Sequence, residues 1–265
     1  MQVTQTEINA IPVTADDVLR TAMDVGEGIL RCGGEIRRVE DTINRICSAY
    51  GAVHVEVFTI TSLIIASVRM ADGSYSSQTR RILQNSTDLH RLRLYNEISR
   101  DICGGGLSID EAQRRIKLAK RSKPYPEWVV VYLGAIFGAG GFALFFGGSW
   151  LDGLAAAAIG VLMMLIESHK PAFVNSMAQA TISSFVAGIL AELCMHFGLC
   201  HNMDMVIIGT IMLLIPGMTI GTSMRDMLCG DIATGSMRLT QSLLLACVIA
   251  LGYGAAMLLM GGILS

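Results

Sequence analysis

The sequence has little charge, and most of what it has lies in the first half. Charged side chains make up 16% of the 265 residues, against roughly 25% in an ordinary soluble domain. Residues 128–265 hold only three basic and six acidic side chains. A soluble protein cannot leave so much apolar surface without charge, so a single soluble globular domain is excluded. The net charge of −2 gives no basic excess, which excludes a nucleic-acid binder.

The usual signatures of enzyme chemistry are also missing. Gly104–Gly106 lacks the Lys-Ser/Thr that follows a phosphate-binding loop, and there is no nucleophile elbow or Cys-x-x-Cys pair. We therefore predict no catalytic residue, no cofactor and no metal. One loop carries side chains of metal-binding type, but chance is the favoured explanation and a Cys194–Cys200 disulfide the alternative. These side chains are Cys194, His196, Cys200, His201 and Asp204.

The charged half predicts a small cytosolic α+β domain over residues 15–123. Residues 1–14, a predicted N-terminal tail, lack the basic start and apolar core of a signal peptide. Thr14 with Asp17 resembles a helix cap, and helical periodicity continues on both sides of Gly33-Gly34. Three strands follow, the first with alternating Val53, Val55 and Val57, and Asp72-Gly73 predicts a hairpin before the third. A helix is then expected over Ser86–Cys103, and Ser108 with Glu111 forms a capping box for one more. The second of these helices is basic and leads to the membrane half.

The remaining residues, 124–265, predict a membrane domain. Five apolar segments are long enough to be helices, and lipid offers the backbone no other hydrogen-bond partners. The fold class expected is therefore an α-helical polytopic membrane protein, with five transmembrane helices preceded by the α+β domain. The spans are predicted near 128–146, 151–168, 175–195, 203–224 and 239–264.

The basic residues predict the orientation. A basic cluster precedes the first span, Lys170 lies between spans two and three, and Arg225 and Arg238 lie between spans four and five. All 20 basic residues therefore fall on one side, which the positive-inside rule assigns to the cytoplasm. We expect a multi-pass protein of the cell (inner) membrane, with its N-terminus in the cytoplasm and its C-terminus outside.

The fourth span is interrupted by Ile215-Pro216-Gly217. A helix ending at Ile215 is only about 20 Å long, too short for about 30 Å of hydrocarbon, so the break lies inside the membrane. Interrupted helices recur at transporter binding sites, where freed backbone groups and hydroxyls hold small polar ligands. A proline kink accommodated by neighbouring helices is the equally weighted alternative. The candidate binding residues here are Pro216, Gly217, Thr219, Thr222 and Ser223.

Other polar groups in the membrane half complete the candidate site. Asn175, Gln179 and Ser183 form a stripe at four-residue steps, and the amides of the first two are candidates to hydrogen-bond the solute. Arg225 or Arg238 is a candidate to attract a carboxylate. Asp226, Asp231 and Glu192 are candidate proton-coupling groups, although an interfacial position is favoured for Glu192.

Several segments, in this order, resemble the threonine/serine exporter family. The resemblance implies a secondary transporter that exports small hydroxylated amino acids or, in some split systems, dicarboxylates. Five spans match the large subunit of the split form. The segments are Gly33-Gly34-Glu35 and Arg38-Val39-Glu40, Gly106-Leu107-Ser108 and Glu111-Ala112, Pro124-Tyr125-Pro126 with Trp128, Phe145-Phe146-Gly147-Gly148 with Trp150, Leu214-Ile215-Pro216-Gly217, Arg225-Asp226, Gly230-Asp231, Gly235 and Arg238.

A second half is expected from another chain. Secondary transporters usually pair two structural repeats around a central site, and no internal repeat is visible here. The expected partners are thus a small polar solute, the lipid bilayer, and a small membrane subunit of the same system or a second copy of this chain. Two other classes stay open: a membrane-anchored sensor or scaffold subunit without transport of its own, and a membrane-anchored enzyme acting through residues 15–123.

Overall fold

The computed structural model describes residues 14–83, 86–123, 125–169 and 175–264. The predicted tail, apart from Thr14, and Lys170 lie outside these residues. The chain divides into two compact units, which we describe separately. The α+β unit comprises Met1–Ser122 with Arg225–Gly235, and the helical unit comprises Lys123–Met224 with Ser236–Ser265. We call Arg225–Gly235 the connecting segment, because it joins the last two helices of the chain.

Two helices and a three-stranded sheet open the α+β unit. As predicted, the Thr14 hydroxyl accepts a hydrogen bond from the Asp17 N–H at 3.1 Å and caps the first helix. Helix α1 is covered on nearly every side, with Leu19, Met23 and Ile29 fully buried. The elements are α1 (Ala15–Arg31), α2 (Ile36–Ala49), β1 (Ala52–Ile60), β2 (Leu63–Met70) and β3 (Tyr75–Arg81).

The sheet is an antiparallel meander in the order β1-β2-β3. Strand β2 is central, with Val57 opposite Ala66 on one side and Ser67 opposite Ser77 on the other. Its alternate residues Ile64, Ala66 and Val68 are buried, which places one face of the sheet on the helices. Ile64 and its neighbours thereby close one core with α1 and α2.

Two further helices complete this core. Helix α3 (Leu89–Cys103) is capped by Asp88, whose carboxylate accepts the Arg91 N–H at 2.9 Å. The helix therefore begins three residues after the predicted start at Ser86, because Asp88 provides the cap. Helix α4 (Ile109–Arg121) is capped by Ser108, but Glu111 binds Arg114 instead of closing the predicted capping box.

Six helices follow in the part of the chain that the structure describes, and four of them are long and apolar enough to cross a membrane. Glycine and alanine dominate the buried positions between them, so the helix backbones approach closely. The Asp152 carboxylate and the Ser149 hydroxyl form a capping box at the start of the second helix. The six are α5 (Glu127–Phe145), α6 (Trp150–Ser168), α7 (Ser176–His196), α8 (Met203–Ile211), α9 (Gly217–Leu228) and α10 (Ile232–Leu264).

The last two predicted spans differ from the observed helices. The fourth is two short helices, α8 and α9, neither of which meets the length of a membrane-crossing helix. Helix α10 begins at Ile232 rather than 239, since polar residues such as Thr234 lower the hydropathy without stopping the helix. Four of the five predicted spans are thus single apolar helices, and the predicted fourth span is divided between α8 and α9.

Candidate functional site

The break between α8 and α9 is a change of hydrogen-bonding pattern. After Ile211 the bonds tighten to three-residue steps, with the Leu213 N–H on the Thr210 carbonyl at 3.2 Å and the Leu214 N–H on the Ile211 carbonyl at 2.8 Å. Pro216 has no N–H to give, and the Gly217 N–H turns back to the Ile215 carbonyl at 2.8 Å. In the described chain, no backbone bond reaches the carbonyls of residues 212–214.

Glycines of neighbouring helices hold this break in place. A Cβ added at Gly138 of α5 would lie 2.9 Å from Leu213 Cδ2, and one at Gly160 of α6 would lie 3.1 Å from Leu213 Cδ1. One turn earlier, a Cβ at Gly209 would collide with the Ala139 carbonyl. Leu213 of the break thus packs against α5 and α6 at two positions, Gly138 and Gly160, where a side chain larger than that of glycine does not fit.

The hydroxyl groups of α9 differ in their partners. The Thr222 hydroxyl donates to the Met218 carbonyl at 3.0 Å, and the buried Ser223 hydroxyl donates to the Ile220 carbonyl at 2.7 Å. Hydroxyls in apolar helices commonly bond to their own backbone in this way. Thr219 is half-buried, and its hydroxyl makes no hydrogen bond with any described residue. Of the three, Thr219 is the one left for a ligand.

The predicted polar stripe on α7 divides into a cap and a buried pair. Asn175 is exposed and caps α7, its side chain accepting the Met177 N–H at 3.2 Å. Gln179 is 4% exposed and Ser183 only 1% exposed. The Ser183 hydroxyl has no hydrogen-bond partner among the described residues. An unpaired buried hydroxyl costs on the order of 1–3 kcal/mol, so this position is unfavourable for Ser183 unless a further group bonds to it.

A buried hydrogen bond between α8 and α10 was not predicted. The Thr210 hydroxyl and the Tyr253 hydroxyl are 2.8 Å apart, and both residues are buried. Gly188 of α7 faces the Tyr253 ring, where an added Cβ would lie 3.3 Å from Cδ1. These contacts join α7, α8 and α10 one turn before the break. No sequence signal pairs residues on two separate helices, although a lone tyrosine in an apolar helix needs a partner.

The predicted charged residues differ in burial and in the partners that the structure gives them. The Arg225 guanidinium pairs with the Glu35 carboxylate of α2 at 2.8 Å, and Arg225 remains 66% exposed. Asp226 is 2% exposed and Arg238 8% exposed. Asp231 belongs to the connecting segment, and Glu192 is half-buried in the last turns of α7. Arg225 thus already has a carboxylate partner within the α+β unit.

Asp152 is a buried carboxylate that sequence reasoning missed. Its side chain is 1% exposed and accepts the N–H groups of Ser149, His201 and Asn202 at 2.7, 2.6 and 2.9 Å. It therefore fixes the loop between α7 and α8, where the metal-binding types of side chain lie. Among the described residues no group of His, Cys, Asp and Glu has the arrangement of a metal site, and Cys200 is a free thiol.

The α+β unit offers a groove but no recognised catalytic arrangement within its described residues. A cavity of about 300 Å³ lies between α3 and α4. An ion pair of 2.7 Å between Asp101 and Arg115 lines it. Elsewhere, His54 and Glu56 are 3.2 Å apart on an exposed strand face, and no third polar group of residues 14–83, 86–123, 125–169 or 175–264 is bonded to either. Both arrangements are common on protein surfaces.

The apolar helices and the packed helical unit define a polytopic integral membrane protein. Comparison with known families takes this further. A family model described as "Putative threonine/serine exporter" matches residues 20–260. The chain therefore belongs to the threonine/serine exporter family.

Individual relatives differ in length from this chain. It is 29% identical over 242 residues to a "Probable threonine/serine exporter" of Mycobacterium tuberculosis, a match covering 89% of this chain and 45% of that protein. A "Threonine/serine exporter" of Corynebacterium glutamicum is 23% identical, with 89% and 50% covered. The chain thus spans about half the length of these relatives. A "Probable succinate transporter subunit" of Klebsiella aerogenes is 23% identical, with 92% and 94% covered. No solved structure matches the chain.

Proposed function

We propose that this chain is a subunit of a secondary exporter of small polar metabolites, namely threonine/serine-type amino acids or dicarboxylates. The observation that carries the proposal is the buried Ser183 hydroxyl, which has no hydrogen-bond partner among the described residues and lies on α7, a helix that packs against α8 just before the break. Most buried hydroxyls in folded proteins have a hydrogen-bond partner, so an unpaired one in a helix bundle needs an explanation. A site that exchanges a solute provides one, because the solute supplies the missing hydrogen bond.

The solute would bind at the break through complementary backbone ends. The carbonyls of residues 212–214 accept hydrogen bonds, so they suit an ammonium group. The N-terminal turn of α9 presents the N–H groups of Met218 and Thr219 and the positive end of the helix dipole, which suit a carboxylate. Gln179, Ser183 and the Thr219 hydroxyl would bind the remaining polar atoms. Pro216 and Gly217 create the break itself.

The other predicted site residues take supporting parts in this proposal. Asn175, Thr222 and Ser223 shape the helix ends around the break, since their side chains are bonded to nearby backbone. Arg238, which is 8% exposed, and Arg225, which pairs with Glu35 at 2.8 Å, are the candidates to attract a carboxylate. The proton-coupling candidates remain Asp226, Asp231 and Glu192. Asp226 is buried, whereas Asp231 and Glu192 are half-buried.

For the topology, we propose that α8, the break and α9 form one crossing, which with α5, α6, α7 and α10 makes five. Residues 15–123 would then be a cytoplasmic domain, residues 124–265 the membrane domain, and the C-terminus would lie outside. The support is the positive-inside rule, since Lys and Arg residues fall on one side of such an arrangement. The location would be the cell inner membrane.

We also propose that the chain works with a second half. The exporters of M. tuberculosis and C. glutamicum are about twice as long as the matched region, while the K. aerogenes relative of equal length is named a subunit. A small membrane subunit is the favoured partner, and a second copy of this chain is the alternative. Either would complete a site built from two halves.

Export of labelled threonine, serine and succinate tests this function. Cells expressing the chain alone, the candidate small subunit alone, or both would be loaded and their efflux compared. Efflux that requires both supports a two-component exporter, and efflux from this chain alone supports a homo-oligomer. Binding without efflux would support the sensor or scaffold alternative. Absence of both from well-inserted protein, together with turnover by residues 15–123, would favour the enzyme alternative and contradict the proposal.

A further inference from the structure

The connecting segment is folded with the α+β unit rather than with the helices that it joins. Arg225–Gly235 clusters with the first 122 residues, although it lies between two helices of the membrane half in sequence. Its first residue, Arg225, pairs with Glu35 at 2.8 Å, and the Glu35 side chain is only 22% exposed. The last turn of α9 is therefore attached to the start of α2.

Two glycines, Gly33 and Gly34, form the turn that positions Glu35 before α2. Gly33 has φ of +85°, a left-handed conformation that favours glycine. At Gly34 an added Cβ would lie 2.8 Å from the Ile29 carbonyl oxygen and would also collide with the Ile29 side chain, so no larger residue fits. Glu35 follows directly as the residue before α2, and its side chain makes no capping bond to that helix. Its carboxylate is thereby available to Arg225.

A second contact opposes the first. Glu40 lies on α2 and accepts the Thr59 N–H at 2.8 Å. Burial raises the pKa of the Glu40 carboxyl, the Thr59 bond lowers it, and the nearby Asp231 of the connecting segment raises it further. The segment is thus attracted to the start of α2 through Arg225, while Asp231, in the middle of the segment, brings a second carboxylate close to Glu40. An attractive and a repulsive contact side by side favour a reversible attachment of the connecting segment to α2.

We propose that α2 of the α+β unit is a clamp for the connecting segment and that this clamp controls the movement of α9. Helix α9 carries Arg225 in its last turn and begins at the break, so restraint at Arg225 is passed along its hydrogen-bonded backbone. The clamp gives the α+β unit a regulatory role. Its effect on transport rests on the function proposed above. Its partner surface is the connecting segment of the same chain.

Reversible cross-linking in the full chain tests the clamp. The exposed native cysteines Cys103, Cys229 and Cys247 would first be replaced by serine. Glu35→Cys with Arg225→Cys would then be joined by a short bifunctional thiol reagent that a reductant cleaves. The matched control is Asp41→Cys with Arg225→Cys, because Asp41 lies on the same helix but pairs with Arg45 at 2.9 Å. The readouts are cross-link yield, hydrogen exchange of Gly217–Leu228, and efflux.

We expect the 35/225 pair to cross-link in much higher yield than the 41/225 pair. The cross-link should slow hydrogen exchange in α9 and efflux by at least about fivefold, the lower end of ordinary coupling between sites, and reductant should restore both. Equal yields from the two pairs would overturn the clamp. A cross-link that leaves exchange and efflux unchanged would overturn its control of α9. If no solute is exported at all, the proposed function fails, while cross-link yield and exchange still decide this inference.

Discussion

Replacing Asp152 by asparagine removes one charge from a buried carboxylate that accepts three backbone N–H groups. One Asp152 oxygen accepts the N–H groups of His201 and Asn202 at 2.6 and 2.9 Å, and the other accepts the Ser149 N–H at 2.7 Å. An asparagine oxygen can keep the first two bonds. Its NH₂ group must then face the Ser149 N–H, so that two donors meet where a bond was.

The loss can be estimated from these bonds. One charge-assisted hydrogen bond disappears, and a buried N–H is left without an acceptor, because Asp152 is only 1% exposed. Such a change costs about 2–4 kcal/mol. For a chain of this size that corresponds to a decrease in Tm of roughly 5–15 °C. The cost is structural, since Asp152 fixes the loop between α7 and α8.

The assay is thermal unfolding in detergent, followed by reaction of the Cys200 thiol with a fluorescent reagent. Cys200 is 3% exposed and lies beside the loop that Asp152 holds, so its exposure reports the loss of that loop. Asp204→Asn is the matched control: Asp204 is exposed in the first turn of α8 and should cost only about 0.3–1 kcal/mol through the helix dipole. If the two variants melt within about 1 kcal/mol of each other, the reasoning about Asp152 is wrong.

Two further predictions concern packing and pH. Gly209→Ala should destabilise the helical unit by about 1–3 kcal/mol, because its Cβ would strike the Ala139 carbonyl. The control Gly141→Ala, with open space around it, should be neutral or slightly stabilising in the same melting assay. Equal losses of stability in the two variants would contradict the close approach of α8 to α5. For Glu40, burial and Asp231 raise the pKa above its ordinary 4.5, so the folded state binds the proton more tightly and stability falls as pH rises from about 4.5 through that raised value. Glu40→Gln should therefore melt higher than the unmodified chain near pH 7.5 and equally near pH 4, and a pH-independent difference between the two would refute the assignment.

Local signals in the sequence predicted most of the elements of the α+β unit. Thr14 caps α1 as expected, the alternation around Val55 predicted strand β1, and Asp72-Gly73 predicted the hairpin between β2 and β3. The start of α3 was wrong, since Ser86 and Asp88 are both good capping residues and pattern alone does not choose between them. The start of α10 was not predictable from hydropathy, which measures the preference for lipid and not the continuity of a helix.

The candidate site was predictable only where one helix carries the signal. Pro216 and Gly217 predicted the break, although α8 ends at Ile211 and not at Ile215, because the chain tightens before the proline. The four-residue steps of Gln179 and Ser183 predicted a shared face, but not that the Ser183 hydroxyl has no partner in the described chain. Contacts such as Thr210 with Tyr253 join different helices, and a single sequence does not reveal which residues meet.

Comparing two adjacent serines of α7 tests the proposed site most directly. Ser183 and Ser184 are both buried, but the Ser184 hydroxyl donates to the Thr181 carbonyl at 3.0 Å, whereas the Ser183 hydroxyl has no partner among the described residues. The measurement is the efflux of the exported solute from cells producing Ser183→Ala or Ser184→Ala at matched membrane levels. If the solute bonds to Ser183, Ser183→Ala should weaken apparent affinity or rate by about 5–100-fold, while Ser184→Ala stays within about twofold of the unmodified chain. Equal efflux from the two variants would contradict a solute site at Ser183.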